Sequence, residues 1–423
     1  MNEIYKAPRG TKDILPMQTK LWEIVRKKAI EISNRFGFFE IIIPTFEEEK
    51  LFTRSVGEKT DVVQKEMFTF LDLSKRKLAL RPEGTASVAR SIIENGLLNN
   101  PLPIKLFYII NCFRNERPQK GRYKEFYQFG VELFGVDSHL AEIEVISLAK
   151  MFFEELNIKN LKLNINSIGC LSCRKDYILK LTSYFKKNQN KLCKTCQERL
   201  EKNPLRILDC KEEECIFLRK NAPNILDHIC PSCKEHFEMV KSLLNYNKVE
   251  YIVNNEIVRG LDYYTRTVFE FITDELGSQN TICGGGRYDN LIEEIGGPKT
   301  PGLGFAVGLN RLMLLLENKE KIENRCDLFL GWLSQEGSFK TIEIANNLRK
   351  KNLNIITNLM EKSAKSQIKY ANKINAKYSA IIGENEIKSN TINLKDMMSK
   401  QIYNFNLDSF EFEFLNIFKK GEI

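Results

Sequence analysis

The chain has 423 residues, of which 43% are hydrophobic, and this is enough to bury substantial cores in about two or three domains. Its 64 lysines and arginines against 55 aspartates and glutamates leave a net charge of +9, which suits a polyanionic partner but also occurs on ordinary surfaces. The N-terminus has no signal-peptide pattern and no apolar run approaches the roughly 20 residues that span a bilayer, so we expect a cytoplasmic protein without membrane spans.

The first predicted elements are a helix and two strands. Apolar residues recur at helical spacing over residues 20–36, and Gly37 provides a helix stop. The run FFEIII, closed by Pro44, predicts a strand, and residues 78–80 predict another. The segment RPEGTASVARSIIENG then predicts a loop that enters a helix.

The next segment predicts an antiparallel hairpin with a long basic tip. Residues 104–114 and 124–134 are both rich in Phe, Tyr, Ile and Val. In the second strand, period-two geometry places Phe129 and its neighbours two residues away in the core. The opposite face would line a pocket for a polar molecule, and it carries Phe126, Gln128, Gly130 and Glu132. A charged hairpin with a solvated face is the alternative.

Residues 167–254 differ in composition from the rest, since they are rich in Lys, Asn and Cys with a scattered helical pattern. We interpret them as an inserted module. Strand patterns return in EIVRGLDYYTRTVFEFIT, CGGGRYDN and GLGFAVG, and the last runs into a helix that holds Arg311. From about Cys326, strands alternate with helices, which predicts a separate domain with a parallel or mixed sheet.

The motifs favour phosphoryl or nucleotidyl transfer over hydrolysis. No phosphate-binding loop or dinucleotide fingerprint is present, and none of the three histidines accompanies a plausible nucleophile. Arg114, Arg259 and Arg311 lie in three pocket-forming segments, and a guanidinium group fits phosphate oxygens well. Each arginine alone is weak support, because a lone arginine in a strand is usually solvated or paired.

The insertion contains three CxxC pairs, which begin at Cys170, Cys193 and Cys230. Two such pairs about 20 residues apart are typical of a tetrahedral structural zinc site. The spacing therefore predicts zinc at Cys170, Cys173, Cys193 and Cys196. Unligated buried thiols are the alternative.

These segments together resemble the histidyl-tRNA synthetases, a family of class II aminoacyl-tRNA synthetases, over nearly the whole chain. The matching segments occur in the family's order: RGTKDILP, LRPEGTASVAR, the motif 2 hairpin FRNERPQKGRYKEFYQFGVELFG, RGLDYYTRTVFE, CGGGRYDNL and the motif 3 segment GLGFAVGLNRL. The combination of RGLDYY with ERPQKGRY is highly specific.

The resemblance implies an α+β fold, with a class II antiparallel sheet flanked by helices over residues 1–325 and the helical insertion at about 167–254. It also implies a C-terminal α/β anticodon-binding domain over residues 326–423 and a homodimer formed through motif 1. The expected activity is a histidine–tRNA ligase, which activates histidine with ATP and Mg²⁺. It forms histidyl-adenylate and pyrophosphate, and then transfers histidine to the 3′-terminal adenosine of tRNA(His).

The resemblance also implies roles for individual residues. Arg114 would hold the α-phosphate, Arg311 the outer phosphates, and Phe126 would stack on adenine near Glu116. Arg259 would be the catalytic cation that stabilises the pentavalent phosphorus.

Histidine itself would be bound by Glu83, Gly84, Thr85, Gln128, Glu132, Tyr263 and Tyr264. Gln119 and Arg122 would contact the acceptor end of the tRNA. Strand alternation would put only one of the two tyrosines on the pocket face, unless the chain bends there.

Asn310 departs from the class II pattern, which usually carries Glu or Asp before the motif 3 arginine, so this chain lacks a negative charge at that position. Two alternatives to the ligase remain. A non-catalytic, synthetase-like regulatory subunit of histidine biosynthesis typically loses parts of motif 2 or RGLDYY and lacks the C-terminal domain, whereas this chain keeps them. A class II synthetase for another amino acid is disfavoured because Glu83, Gln128, Glu132 and RGLDYY occur together.

Overall fold

A computed structural model describes residues 5–57, 60, 62–317 and 326–420. The chain divides into two compact units, Met1–Glu320 and Lys321–Ile423. No helix in the described ranges is long and apolar enough to cross a membrane.

The first unit is built on an eight-stranded sheet with the order β1-β5-β6-β11-β10-β9-β7-β8. Neighbouring strands are antiparallel except at the two edges, where β1 pairs with β5 and β7 pairs with β8 in parallel. A smaller antiparallel sheet has the order β2-β4-β3. The strands are β1 (Phe39–Glu40), β2 (Phe46–Glu48), β3 (Thr69–Leu71), β4 (Lys77–Leu80), β5 (Ile104–Phe113), β6 (Glu125–Phe134), β7 (Lys162–Ser167), β8 (Ile252–Val253), β9 (Thr265–Ile272), β10 (Thr281–Arg287) and β11 (Gly302–Gly308).

Ten α-helices accompany these sheets in the described part of this unit. They are α1 (Pro16–Arg35), α2 (Glu49–Val56), α3 (Thr85–Glu94), α4 (Leu140–Glu155), α5 (Leu171–Lys187), α6 (Lys194–Lys202), α7 (Glu213–Arg219), α8 (Pro231–Tyr246), α9 (Leu291–Glu294) and α10 (Leu309–Leu316). Helices α5 to α8 lie within residues 167–254, so the helical character predicted for this segment is confirmed. The FFEIII segment contributes a shorter strand than predicted, since only Phe39–Glu40 pairs as β1.

The predicted hairpin is confirmed as β5 and β6, which pair in register from Ile104 with Phe134 to Phe113 with Glu125. Phe129 is fully buried between the sheet and α4, where it contacts Phe152 with a centroid distance of 5.0 Å. Alternate side chains of β6 therefore point into the core, as predicted, and those between them point toward a pocket.

A buried ion pair ties α4 to β10. Arg287 is fully buried, and its Nε and Nη2 donate to the two carboxylate oxygens of Glu142 at 2.8 and 3.2 Å. Such a pair is costly to break from one side, because the remaining charge stays out of water.

The second unit contains a five-stranded mixed sheet with the order β13-β12-β14-β15-β16, in which β12 pairs in parallel with β13 and β14. The strands are β12 (Cys326–Trp332), β13 (Ile355–Thr357), β14 (Ala376–Ile382), β15 (Thr391–Asp396) and β16 (Ile402–Asn406). The helices are α11 (Gln335–Arg349), α12 (Ala364–Lys373), α13 (Glu384–Ser389) and α14 (Phe410–Lys420). The predicted alternation of strands and helices is confirmed.

Each unit holds one tryptophan in a defined contact. Trp22 of α1 meets Tyr127 of β6 edge to face, with 4.9 Å between ring centroids. Trp332, at the end of β12, donates from Nε1 to the carbonyl of Asn358 at 2.8 Å.

Candidate functional site

A pocket of about 200 Å³ lies over β6, β10 and β11. It adjoins a cleft of about 970 Å³, with which it shares Arg114, Arg259 and Arg311. Most of the predicted site residues line this pocket: Glu83, Thr85, Arg114, Glu116, Arg122, Phe126, Gln128, Arg259, Tyr263, Tyr264 and Arg311.

Glu132 lies beneath the pocket and is almost completely buried. Its Oε1 accepts hydrogen bonds from Thr85 Oγ1 at 2.7 Å and from the Tyr108 hydroxyl at 3.0 Å, and its Oε2 accepts one from the Tyr288 hydroxyl. Burial raises the pKa of Glu132 to about 8, and the nearby charge of Glu83 adds to the increase. The sequence analysis missed Tyr108 and Tyr288, although Tyr288 belongs to the CGGGRYDNL segment.

Glu83 is also buried, and its carboxylate bonds the start of α3. Its two oxygens accept from the backbone N–H groups of Thr85 at 2.7 Å and Ala86 at 2.9 Å, which have no partner within the helix. The Tyr263 hydroxyl donates to the same carboxylate at 3.4 Å. Burial raises the pKa of Glu83. Glu83 therefore orients the first turn of α3 toward the pocket.

Gly84 does not line the pocket in the way predicted for a residue that binds substrate. It packs against a ring, since a Cβ at position 84 would lie 2.4 Å from Cζ of Tyr108. Gly130 approaches the same ring from β6, where a Cβ would lie 2.1 Å from Cζ. The two glycines thus make room for the tyrosine that donates to Glu132.

Tyr263 and Tyr264 both line the pocket, with ring centroids 4.8 Å apart. The expectation of one tyrosine per face does not apply, because β9 begins only at Thr265; Tyr263 ends the preceding turn and Tyr264 links that turn to the strand. Arg174 of α5 fixes this turn by donating to the carbonyls of Tyr264 at 2.8 Å and Asp262 at 3.3 Å.

Arg259 enters the pocket from the segment before this turn. It forms an ion pair with Glu270 of β9 and lies over the ring of Tyr264, 5.5 Å from its centroid. Burial disfavours its charged form, but the charge of Glu270 outweighs burial and the pKa of Arg259 is raised. A Cβ at Gly284 would lie 2.2 Å from Nη2 of Arg259, so the guanidinium group occupies the space above a glycine of β10.

The mouth of the pocket is rich in positive charge. Arg114 lies over the ring of Phe126, 5.2 Å from its centroid, and its Nε donates to the carbonyl of Pro82 at 3.0 Å. Glu116 forms ion pairs with two arginines: its Oε2 lies 2.8 Å from Arg122 Nε, and its Oε1 lies 3.8 Å from Arg114 Nη1. Guanidinium groups arranged in this way suit several phosphate oxygens at once.

Arg311 projects from the first turn of α10 into the same region. Its Nη1 donates to the carbonyl of Thr281 at 2.7 Å, and its Nε donates to that of Gly121 at 3.3 Å. Burial lowers the pKa of Arg311, and the charges of Arg122 and Arg114 act in the same direction. An anion bound among these groups would relieve their repulsion.

Asn310 has a structural partner that the sequence did not reveal. Its Oδ1 accepts from the backbone N–H of Tyr127 at 2.7 Å, which links α10 to β6. An amide oxygen can accept this hydrogen bond as a carboxylate would, but without its negative charge.

Gln119 lies at the tip of the hairpin rather than in the pocket. Its backbone pairs with that of Arg122 in a bridge closed by two hydrogen bonds, at 3.1 and 2.9 Å. The tip therefore has a fixed turn, with Arg122 directed to Glu116.

The cysteines predicted to form one zinc site lie in two different groups. Cys170 and Cys173 meet Cys230 and Cys233 in what we call the flanking cluster, at the two ends of the insertion. The central cluster contains Cys193, Cys196, Cys210 and Cys215. The predicted set was wrong because nearest neighbours in sequence were paired, whereas the helices bring the first CxxC pair to the last.

Two further cysteines lie near the pocket. Cys112 and Cys283 are buried, and burial raises the pKa of both thiols, that of Cys112 to about 12. They suit a packing role, since a nucleophilic cysteine needs a lowered pKa.

Comparison with known proteins supports the geometry. The profile of the family described as Histidyl-tRNA synthetase matches residues 10–312, and that of the Anticodon binding domain matches residues 334–416. A histidine–tRNA ligase from Acetivibrio thermocellus is 48% identical over 407 residues, which cover 96% of this chain and 98% of the relative.

Two solved structures share the fold. The apo histidyl-tRNA synthetase of S. aureus has a TM-score of 0.81 at 34% identity, and the match covers 97% of this chain and 100% of that one. A protein from Bacillus halodurans C, described as an ATP phosphoribosyltransferase regulatory subunit/histidyl-tRNA synthetase, has a TM-score of 0.63 at 23% identity. This match covers 90% of this chain and 99% of that one. The second match shows the fold alone.

Proposed function

The chain belongs to the histidyl-tRNA synthetase family and is a histidine–tRNA ligase that uses ATP and binds tRNA, and from this premise we propose which of its residues do the work. The observation that carries the proposal is the convergence of two buried carboxylates, a tyrosine pair and Arg259 on one pocket.

Histidine binds, in this proposal, with its imidazole toward Glu132 and its ammonium group toward Glu83. A carboxylate has about four acceptor sites, and three hydroxyls already use three of them on Glu132. The fourth, on Oε2, suits a ligand N–H when Glu132 is ionised. Gln128, Thr85 and the tyrosine pair complete the site, while Gly84 acts through its close packing.

Arg259 stabilises the negative charge that develops on the α-phosphate as the histidine carboxylate attacks it. The carboxylate is already ionised at neutral pH, so the step needs no general base. Positive charge held in a buried site is effective because little reorganisation is required during the reaction. The pairing of Arg259 with Glu270 supports this role, since it fixes the guanidinium group before substrates arrive.

ATP lies along the mouth of the pocket, with Arg114 on the α-phosphate, Arg311 on the outer phosphates and Phe126 against adenine near Glu116. The family's use of ATP implies a divalent metal, and we propose Mg²⁺. Glu116 and Glu270, two of the carboxylates that line this region, have arginine partners. Phosphate oxygens and water would therefore supply most of the ligands, as Mg²⁺ commonly allows.

The tRNA contacts two regions. We assign residues 326–423 to anticodon binding and residues 1–325, with the insertion at about 167–254, to catalysis. Gln119 and Arg122 contact the acceptor end. For Arg122 this requires its ion pair with Glu116 to open.

The motif 1 segment forms a homodimer in this proposal. Phe39 and Ile42 expose 73% and 87% of their surface in the isolated chain, next to the edge strand β1. Ile42→Asp should therefore halve the mass measured by light scattering, and an unchanged mass would contradict the assigned interface.

The direct test is ATP–pyrophosphate exchange with each standard amino acid, using wild type and Arg259→Ala. We expect exchange with histidine alone and its loss in the variant. Exchange with another amino acid would refute the assigned pocket chemistry, and full activity of Arg259→Ala would refute the role of the cation. A non-catalytic regulatory subunit, the alternative, would show no exchange.

A further inference from the structure

Eight of the 11 cysteines of the chain belong to the flanking and central clusters of the insertion. In each cluster the four Sγ atoms lie within 4.8 Å of one another. We propose that each cluster binds one zinc ion through four thiolates, so that the insertion contains two structural zinc sites. Neither site has the ligand set that sequence spacing predicts.

The sulfur spacing fits a single tetrahedral ion. Zn–S bonds of about 2.3 Å at tetrahedral angles place the sulfurs about 3.8 Å apart. The structure has 3.5 Å between Cys170 and Cys173, and 3.8 Å between Cys193 and Cys210. A disulfide would require about 2.05 Å. Four sulfur ligands with this spacing are typical of structural zinc.

All three CxxC pairs lie at the starts of helices. Cys170, Cys193 and Cys230 are the N-cap residues of α5, α6 and α8, and the second cysteine of each pair lies in the first turn. The partial positive charge of a helix N-terminus stabilises thiolates. In the flanking cluster two such termini meet, which offsets the negative charge of a four-thiolate site.

Backbone groups also bond the sulfur atoms. The N–H of Cys230 donates to Sγ of Cys173 at 3.0 Å, and the N–H of Cys193 donates to Sγ of Cys215 at 3.4 Å. Arg219 supports the central cluster by donating to the carbonyl of Cys210 at 2.8 Å. Hydrogen bonds of this kind orient ligands around structural metals.

The two sites are nested along the chain. The flanking cluster joins the start of α5, just after β7, to the start of α8, whose chain returns to the sheet at β8. The central cluster closes the segment between them. The flanking zinc would thus fasten the base of the insertion to the catalytic sheet, and the central zinc would order its interior.

The flanking site also connects to the pocket. Arg174 follows Cys173 directly in α5 and donates to the carbonyl of Tyr264 at 2.8 Å. Arg174 is a positioning residue in this scheme, because it holds the turn that carries the tyrosine pair. This consequence, unlike the zinc sites themselves, rests on the proposed histidine pocket.

Zinc content of the purified full-length chain, measured by inductively coupled plasma mass spectrometry, tests the proposal. We expect two zinc ions per wild-type chain. Cys233→Ser and Cys215→Ser should each retain one, and the double variant should retain none. Cys326→Ser, which changes a buried cysteine outside both clusters, is the matched control and should keep two.

A titration of wild type guards against variants that fail to fold. Stepwise modification with an organomercurial should release two zinc ions as eight thiols react, followed with a chromogenic chelator. Wild type without zinc, or with these eight cysteines in disulfides, would overturn the proposal. If wild type bound only one zinc ion and both variants lost it, the proposal of two separate sites would be refuted.

Kinetic measurements distinguish the effect of the flanking site on the pocket from that of the central site. Cys233→Ser should raise the KM for histidine more than the KM for ATP. In contrast, Cys215→Ser should leave the ratio of these two KM values nearly unchanged. Equal effects of both variants would refute the link through Arg174 and leave the zinc stoichiometry as an independent result.

Discussion

Gly284→Ala is predicted to disable the enzyme without unfolding it. The new methyl group would lie 2.2 Å from Nη2 and 2.6 Å from Cζ of Arg259. Since non-bonded contacts need about 3.4 Å or more, the guanidinium group must retreat by about 1.2 Å. A misplacement of about 1 Å can reduce the rate on the order of 100-fold. We therefore expect a loss of this size in histidine-dependent ATP–pyrophosphate exchange.

Gly260→Ala provides the matched control. Position 260 follows Arg259 in the chain, and a Cβ there would meet its nearest neighbour, Nη1 of Arg206, at an ordinary 3.4 Å. This variant should retain exchange within about threefold and should melt like wild type, as should Gly284→Ala. Wild-type exchange by Gly284→Ala would refute the reasoning, because Arg259 would then not depend on the space above the glycine.

Three further changes test separate parts of the structure. Asn310→Ala leaves the N–H of Tyr127 without its acceptor and should lower the free energy of unfolding by about 1–3 kcal/mol, measured in urea, whereas Asn310→Asp should be much milder. Arg287→Met removes the arginine partner of the buried Glu142 carboxylate, leaves His236 Nε2 at 2.6 Å as its neighbour, and should cost up to about 3–5 kcal/mol in the same assay; a loss below about 1 kcal/mol would contradict the importance of the arginine pair. The raised pKa of Glu132 means that the folded chain binds more protons than the unfolded chain between pH 4.5 and about 8, so this group reduces stability as pH rises through that window. The stability of Glu132→Gln relative to wild type should therefore increase from pH 5 to 9, and a constant difference would show that Glu132 is ionised throughout.

The hairpin and the pocket face of β6 were predictable from sequence because period-two alternation acts locally. The register of Ile104 with Phe134 follows from the hydrophobic patterns of the two strands. Segment order and motifs sufficed for the fold class and the family. The same alternation misled at Tyr263, where a turn precedes the strand and removes the two-residue period.

Other features depend on contacts between distant parts of the chain, which no local pattern encodes. The hydroxyls of Tyr108 and Tyr288 reach Glu132 from two different strand regions, and only the folded sheet brings them together. The cysteine pairing is similar, since Cys173 lies nearer in sequence to Cys196 but nearer in space to Cys230. The spacing of the cysteines in sequence predicts that they bind a metal, but the packing of the helices determines which thiols share a site.

The placement of the two tryptophans gives this chain an intrinsic pair of optical reporters. Trp22 is packed on the back of the strand that carries the pocket residues, and Trp332 ends the first strand of the other unit. Because the sequence contains just these two, Trp22→Phe and Trp332→Phe each leave emission from one unit alone. Denaturation followed in the two variants would then resolve whether catalytic and anticodon-binding units melt together or in succession, without any attached label.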